Sequence, residues 1–194
     1  MDLTKLLRIL LYLVICIIIS ACDYSKEKVL KNMEEIRSIP ISISYDDMKC
    51  LTPDSIAEKK PWIKAKLKLI HYIDSLQCST CYLQKVAMHD ELFRIERESN
   101  YEFYNIFIVD PRSNNTSIAK LTAQYSNKEL PTTIFYDSAH VFFDANPQIP
   151  KEIMYHTFLL DENNNVIFVG NPLLNPNVKE KMLHIIEDRV HKRK

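Results

Sequence analysis

Glycine is nearly absent from this chain of 194 residues, which contains Gly170 and no other glycine. Average usage near 7% would give roughly 14 glycines at this length. Loops that cradle nucleotide phosphates need several closely spaced glycines, so the dinucleotide-binding and P-loop classes are excluded. Tight turns must use other residues. The run from Asp161 to Asn165 between two apolar segments predicts a hairpin turn, because asparagine tolerates the left-handed backbone conformation.

The charge and hydrophobicity of the chain favour a single globular domain. Lys and Arg together number 25, as do Asp and Glu, so the formal net charge is zero. Nucleic-acid-binding domains usually carry a basic surface, and we therefore expect no nucleic-acid partner. With 46% hydrophobic and 26% charged residues, the composition fits neither a disordered protein nor one with several membrane spans.

The N-terminus has the parts of an export signal. Two basic residues precede an apolar run at 9–19, which suits a signal peptide and is too short for an ordinary transmembrane helix. The run ends in Ile19-Ser20-Ala21-Cys22, which resembles the lipobox of bacterial lipoproteins, where the cysteine receives diacylglycerol. We therefore expect a signal peptide at 1–21 and a mature chain that begins at lipidated Cys22. An uncleaved anchor and an ordinary signal peptide cut nearby are the alternatives.

This signal also predicts the compartment and the domain boundaries. The resemblance implies export across the inner membrane of a bacterium, a membrane anchor through acylated Cys22, and a domain that faces the periplasm. Disulfides can persist in that compartment. Either the inner or the outer membrane is compatible with the sequence. We expect a tether with a short helix at 22–39 and one domain at 40–194.

The mature chain alternates predicted strands and helices. Strands are predicted from apolar or alternating runs at 41–45, 66–73, 102–109, 132–136, 157–160 and 166–169. Helices are predicted from apolar residues at helical spacing at 24–37, 79–98, 116–124, 138–145 and 176–190, with a further helix start at 52–54. The last helix has Asn175 as its N-cap and Pro176 at its first position. This order predicts a mixed sheet with helices on both faces.

Cys78 and Cys81 form a C-x-x-C motif between the strand predicted at 66–73 and the helix predicted at 79–98. Two intervening residues in a first helical turn bring both sulfurs within disulfide geometry. The first cysteine would lie at the helix N-terminus, where unpaired amides stabilise a thiolate, and the second, one turn further, would be shielded. A C-x-x-C that follows a strand in this pattern indicates a redox pair. A structural disulfide or an inert buried pair is one alternative, and half of a zinc site is another.

The motif and the hairpin together resemble the thioredoxin-like superfamily, in particular exported, membrane-tethered members of the TlpA type. The resemblance covers 40–190 and includes the segment from Thr157 to Gly170, which is similar to the family's T-F-L-I-D-x-x-G-x-I hairpin. It implies a three-layer α/β fold with a mixed central sheet and helices on both faces, preceded by the signal and tether segment.

Three positions depart from the family pattern. The residue before the first cysteine is Gln77, where an aromatic residue is usual, and Tyr72 replaces the buried acid that thioredoxin carries six residues before that cysteine. The position of the family's cis-proline, just before the hairpin, holds His156, while Pro131 offers a rival match.

The resemblance implies a thiol–disulfide oxidoreductase that exchanges with protein thiols and disulfides of the cell envelope and needs no cofactor or resident metal. Cys78 would be the nucleophile and Cys81 the resolving thiol, with Tyr155 and His156 beside the sulfurs as substrate-binding residues. Two other functions stay open. One is a non-catalytic docking module of the same fold. The other is a Cu(I) metallochaperone that uses Cys78, Cys81 and His156 as soft ligands.

Overall fold

The computed structural model describes residues 26–51, 59–74, 77–78, 81–83, 85, 90–111 and 133–191. The predicted signal peptide, Cys22, the helix predicted at 116–124, the helix start at 52–54 and Pro131 lie outside the described residues. Within the described part of the chain, no helix is long and apolar enough to cross a membrane.

Strands and helices alternate along the described chain. The strands are β1 (Lys49–Cys50), β2 (Leu67–Ile73), β3 (Phe103–Val109), β4 (Thr133–Tyr136), β5 (Thr157–Leu160) and β6 (Val166–Val169). The helices are α1 (26–36), α2 (Asp90–Glu98), α3 (Val141–Asp144) and α4 (Pro176–His191). Residues 81–83 and 85 are also helical, and short 3₁₀ helices occur at Tyr45–Asp47, Pro61–Lys64 and Ile153–Tyr155.

The strands form one mixed sheet in the order β1-β4-β3-β2-β5-β6. Strands β2, β3 and β4 are parallel, whereas β5 is antiparallel to β2, β6 to β5 and β1 to β4. Ile73 lies opposite Val109, and Val109 lies opposite Tyr136. The three parallel strands therefore end together at one edge of the sheet, which we call the carboxyl edge. The turn between β5 and β6 lies at the opposite edge, the hairpin edge.

Successive residues of β2 face opposite sides of the sheet, and each side carries its own apolar core. Ile70 and Tyr72 pack in a cluster that includes Ile36 of α1 and Phe142 of α3. On the other side, β2 packs against two further helices, through residues such as Leu69 with Leu92 of α2 and Met182 of α4. The predicted α/β architecture, a mixed sheet with helices on both faces, is confirmed.

The prediction of a strand at 41–45 is wrong, and the sequence did not predict β1. Ile41 is buried as its alternating pattern suggested, but the backbone of Ser42 bonds to a side chain instead of a strand. The Ser42 N–H donates to Asn146 Oδ1 and its carbonyl accepts from Asn146 Nδ2, both at 2.8 Å. The Asn146 side-chain amide thus forms the hydrogen bonds that a neighbouring strand would form with Ser42. The segment that pairs with β4 is instead β1.

The predicted glycine-free hairpin turn is confirmed. Asn164 adopts a left-handed backbone with φ +63°, and Asp161 Oδ1 accepts hydrogen bonds from the backbone N–H groups of Asn163 and Asn165, each at 2.9 Å. Gly170 has φ +146°, and a Cβ at that position would lie 2.9 Å from Val178 Cγ1 of α4. The one glycine therefore occupies a position where another residue would meet both backbone strain and a close contact.

Candidate functional site

Cys78 and Cys81 form a disulfide just beyond the carboxyl edge of the sheet, with their Cα atoms 5.3 Å apart. This separation lies within the usual range for a disulfide. Strand β2 ends at Ile73, and the Gln77 N–H donates to the Asp74 carbonyl at 3.1 Å. The motif thus sits on a loop that leaves the central parallel strand, where side chains at strand ends are open to other molecules.

Cys78 occupies the N-cap position of the helical segment that follows it. Its carbonyl accepts the Tyr82 N–H at 2.9 Å, which is a helical i to i−4 bond. Its sulfur accepts the Cys81 N–H at 3.3 Å, which is the bond that an N-cap side chain normally makes to the third helical residue. A negative charge on this sulfur would be stabilised by that amide and by the helix dipole.

The expectation that Cys81 is shielded is wrong, because both cysteines are exposed to solvent. Sequence spacing places Cys81 one turn into a helix but does not show which way its side chain turns. Burial therefore does not separate the two sulfurs here. The amide bond from Cys81 to the Cys78 sulfur is the observed feature that distinguishes them.

Tyr82, the residue after Cys81, anchors the motif to the sheet through its hydroxyl. The hydroxyl oxygen lies 2.9 Å from His71 Nδ1 on β2 and 3.4 Å from Thr157 Oγ1 on β5, and it accepts a hydrogen bond from Asn171 Nδ2 at 2.9 Å. Burial raises the pKa of Tyr82 to about 12, so the phenol stays protonated at neutral pH. Three segments distant in sequence thus meet at the hydroxyl of the residue that follows Cys81.

His71 is the buried member of this group. Its ring stacks on Phe107 of β3 with the centroids 4.4 Å apart, and its Nε2 atom is buried without a hydrogen-bond partner. Burial lowers the pKa of His71 to about 3, so the imidazole is neutral at physiological pH. A buried ring nitrogen without a hydrogen-bond partner costs less free energy when the imidazole is neutral than when it is charged.

His156 and Tyr155 immediately precede β5, as predicted, and both are buried, with 2% and 3% of their surface exposed. The His156 carbonyl accepts the Tyr72 N–H at 2.9 Å, which places His156 beside the end of β2. Its Nε2 lies 3.0 Å from the Pro150 carbonyl oxygen, and its Nδ1 lies 3.6 Å from Asp74 Oδ2. Burial lowers the pKa of His156, and the charge of Asp74 partly offsets that effect. A substrate-binding role for Tyr155 and His156 stays a prediction.

The sequence reasoning missed three aspartates that follow the parallel strands directly: Asp74 after β2, Asp110 after β3 and Asp137 after β4. Asp137 caps α3 by accepting two backbone N–H groups at 2.9 Å. Asp110 is buried, accepts the Tyr72 hydroxyl at 3.4 Å and lies 2.8 Å from Nδ1 of His140. In the sequence, an aspartate directly follows each of these apolar runs, and this pattern could have identified the three residues.

Metal ligation was among the alternatives for this motif. Across the described ranges, no group of three or more His, Cys, Asp and Glu side chains is arranged to hold a metal ion. The two nitrogens of His156 face a backbone carbonyl and a carboxylate in this structure.

No protein-family model and no curated protein sequence matches the chain. Among solved structures, it is similar to a candidate protein disulfide isomerase from Bacteroides thetaiotaomicron, at 14% identity, 67% of this chain, 77% of that chain and a TM-score of 0.47. It is also similar to an uncharacterised thioredoxin-like protein from Porphyromonas gingivalis, at 13% identity, 66% and 78% coverage and a TM-score of 0.45. Copper-bound Sco1 from yeast is 12% identical, with 63% and 80% coverage and a TM-score of 0.45.

The fold is thioredoxin-like. The parallel strands β2 and β3, the antiparallel hairpin β5–β6 and the final helix α4 follow one another as the resemblance implied. The C-x-x-C motif follows β2, with helical residues directly after it. Strand order and the position of the motif, rather than the distant similarities, carry this assignment.

Proposed function

We propose that the chain is a lipid-anchored thiol–disulfide oxidoreductase of the bacterial cell envelope, of the TlpA type, with Cys78 and Cys81 as its redox pair. One observation carries the proposal. The structure holds an exposed C-x-x-C disulfide whose first sulfur accepts the amide of the second cysteine at the start of a helix. Exposed disulfides of this kind are accessible to thiols, whereas structural disulfides are usually protected.

The proposed exchange has two steps that balance in electrons and protons. The reduced Cys78 thiolate attacks a partner disulfide, so that a bond forms between Cys78 Sγ and one partner sulfur, and the other partner sulfur leaves as a thiolate. Cys81 then loses its proton to solvent and attacks Cys78 Sγ, which closes the intramolecular disulfide and releases the second partner thiolate. Two electrons pass to the partner. The reverse sequence oxidises a partner dithiol, and the partner's redox potential determines the direction.

Reduction of a model disulfide in the presence of a dithiol reductant tests this proposal. Cys78→Ser should abolish enzyme-dependent turnover, because no thiolate is left at the N-cap. Cys81→Ser should allow one attack and then stall as a mixed disulfide. Cys50→Ser is the matched control, since Cys50 lies on β1 and is a free thiol, and it should turn over like the wild type.

Other outcomes would contradict the redox proposal. If both Cys78→Ser and Cys81→Ser behave like the wild type, the docking-module alternative takes its place. If the reduced protein turns over no disulfide but binds one equivalent of Cu(I) through these cysteines, the metallochaperone alternative does.

Lipid anchoring rests on the Ile19-Ser20-Ala21-Cys22 sequence and is tested separately. Cys22→Ser should remove the acylation site and leave the protein unprocessed or release it from the membrane fraction, since stable anchoring needs more than one acyl chain. Cys16→Ser, within the apolar run, is the control and should leave the mature protein unchanged in mass. Unchanged mass and membrane retention of Cys22→Ser would show that the lipoprotein assignment is wrong.

A further inference from the structure

Burial of the two cysteines does not hold the helical turn that carries the disulfide, because both are exposed. The segment is attached to the sheet by Leu83, which is 2% exposed and packs in an apolar cluster with Ile73 and Phe107. Apolar contacts are non-directional, so they hold the segment against the sheet without fixing its rotation. Hydrogen bonds require aligned donors and acceptors, and Tyr82 supplies such bonds here.

Tyr82 connects the backbone of the first cysteine to the sheet. Its N–H donates to the Cys78 carbonyl at 2.9 Å and closes the helical turn. Its hydroxyl bonds to side chains of β2, β5 and the segment after β6. The Cys81 N–H lies inside the closed turn and donates to the Cys78 sulfur at 3.3 Å. The direction of that N–H therefore depends on how Tyr82 is held.

The hydrogen atoms of this group can be assigned from its chemistry. The Asn171 amide nitrogen can only donate, so the Tyr82 oxygen accepts from it. The single phenol hydrogen then points to His71 Nδ1 at 2.9 Å rather than to Thr157 Oγ1 at 3.4 Å. Burial lowers the pKa of His71 to about 3, so the ring is neutral, Nδ1 is free to accept and the ring hydrogen lies on Nε2. The Tyr82 hydroxyl is thus held from both sides, as a donor and as an acceptor.

Reduction changes what holds the turn together. In the oxidised protein the disulfide itself joins Cys78 to Cys81, and reduction removes that covalent link. The ends of helices fray readily, and an amide stabilises a thiolate only while it points at the sulfur. After reduction, the bonds of Tyr82 to the Cys78 carbonyl and to the sheet are what keep the Cys81 N–H in place.

We infer that Tyr82 is a positioning residue of the redox pair: through the bond of its hydroxyl to His71, it keeps the Cys81 amide directed at the Cys78 sulfur and so stabilises the Cys78 thiolate. The inference rests on the proposed redox function of Cys78 and Cys81. Neither Tyr82 nor His71 exchanges a bond or a proton with the partner, and both act through the backbone of the turn.

The pKa of the Cys78 thiol tests this role, since a purely structural contact would not change it. The reduced full-length protein with Cys81→Ser, which leaves one thiol in the motif, is alkylated with iodoacetamide across a range of pH. Modification of Cys78 is followed by the mass of its peptide. Tyr82→Phe should raise the Cys78 pKa by about 0.5 to 1 unit, a loss of thiolate stabilisation of about threefold to tenfold. An unchanged Cys78 pKa in a folded Tyr82→Phe variant would overturn the inference.

Ser99→Ala is the matched control, because it also removes a buried hydroxyl but does so at the hairpin edge. Ser99 is 6% exposed, and its hydroxyl bonds to the Glu96 carbonyl at 2.9 Å and to the Phe103 N–H at 3.3 Å, just before β3. We expect a loss of stability with the Cys78 pKa unchanged. A rise in this pKa as large as in Tyr82→Phe would trace the effect to lower stability in general and contradict a positioning role.

Two substitutions of His71 test the same bond while Tyr82 stays intact. Asparagine carries an acceptor oxygen on Cγ, where histidine carries Nδ1, and leucine carries none. Both variants lose the ring that stacks on Phe107, so both should unfold at lower denaturant. His71→Asn should nevertheless keep the wild-type Cys78 pKa, whereas His71→Leu should raise it. Equal Cys78 pKa values in the two variants would overturn the inference, because the acceptor at position 71 would then have no effect on the sulfur.

Turnover of the model disulfide, with Cys81 intact, separates this inference from the proposed function. A wild type that turns over the disulfide, together with an unshifted Cys78 pKa in Tyr82→Phe, would mean that the redox function stands and the positioning role is wrong. A wild type without turnover would refute the redox function, whatever the Cys78 pKa of the variants.

Discussion

At the residue scale, the redox pair depends on groups that come from distant parts of the sequence. The N-cap position of Cys78 follows from local spacing, and the structure agrees with the sequence there. The partners of the Tyr82 hydroxyl lie 11, 75 and 89 residues away, so no local pattern could reveal them. The same holds for the exposure of Cys81, because side-chain direction depends on what the whole fold places nearby.

Removal of the Tyr82 hydroxyl should destabilise the protein. Tyr82→Phe keeps the ring but leaves His71 Nδ1 and Asn171 Nδ2 without this partner, and unsatisfied buried polar atoms cost about 1–3 kcal/mol. Denaturant unfolding of the oxidised protein measures the loss. Tyr101→Phe is the control, since Tyr101 is 46% exposed and should change stability little. Equal effects of the two substitutions would mean that the hydroxyl does not anchor the motif.

At the element scale, the sequence predicted strands and helices well where apolar periodicity was strong and less well where side chains replace backbone pairing. Strands β2, β3, β5 and β6 lie where their patterns placed them. The segment 41–45 failed because Asn146 takes the place of a neighbouring strand. Strand β1 has two residues, which is too short for any alternation to show.

A side chain also bonds to the backbone of a neighbouring segment between α2 and β3, where the carboxyl group of Glu96 contacts Asn105. Glu96 Oε2 accepts the Asn105 N–H at 3.1 Å and the Asn105 Nδ2 at 2.7 Å. In the described part of the chain, the pairing of β3 with β4 starts at Ile106, opposite Thr133. Burial raises the pKa of Glu96 to about 8, because a carboxylate is poorly solvated in the apolar layer between helix and sheet.

This raised pKa predicts a pH dependence of stability. Between the unfolded value of 4.5 and the folded value of about 8, the folded state holds a proton that the unfolded state has released. The free energy of unfolding should therefore fall as pH rises through this window, by up to about 1.4 kcal/mol per pH unit. Glu96→Gln cannot titrate, so it should remove this part of the slope.

His71 contributes a pH dependence of opposite sign at lower pH. The contribution of Glu96 is therefore the difference between the wild type and Glu96→Gln in the slope of the free energy of unfolding against pH. His71 is neutral when folded, so its contribution to stability is lost as pH falls below 6.5. Glu98→Gln, at an exposed position of the same helix, should keep the wild-type slope. Unfolding midpoints in urea from pH 5 to 8.5 measure the effect, and identical slopes for Glu96→Gln and the wild type would contradict it.

At the scale of the whole molecule, the order of elements was enough to predict the fold class, but not how the N-terminal segment sits on it. Alternating strands and helices followed by a hairpin and a final helix lead to a mixed sheet with helices on both faces, and the structure has that sheet. The sequence indicated an amphipathic helix before the domain. It did not show that this helix shares the core through Ile36 or that Lys28 pairs with Glu152, because the paired residues lie 124 positions apart in the sequence.

The central claim is that the Cys78–Cys81 disulfide is a reversible redox couple, and its equilibrium with glutathione tests that claim most directly. The protein is equilibrated in buffers of graded reduced and oxidised glutathione, free thiols are alkylated, and the fraction of disulfide is measured by mass. Because both cysteines are exposed, we expect one two-electron transition with a potential above about −300 mV, the region below which structural disulfides usually lie. A disulfide that stays closed in every glutathione buffer would contradict the account and identify the pair as structural.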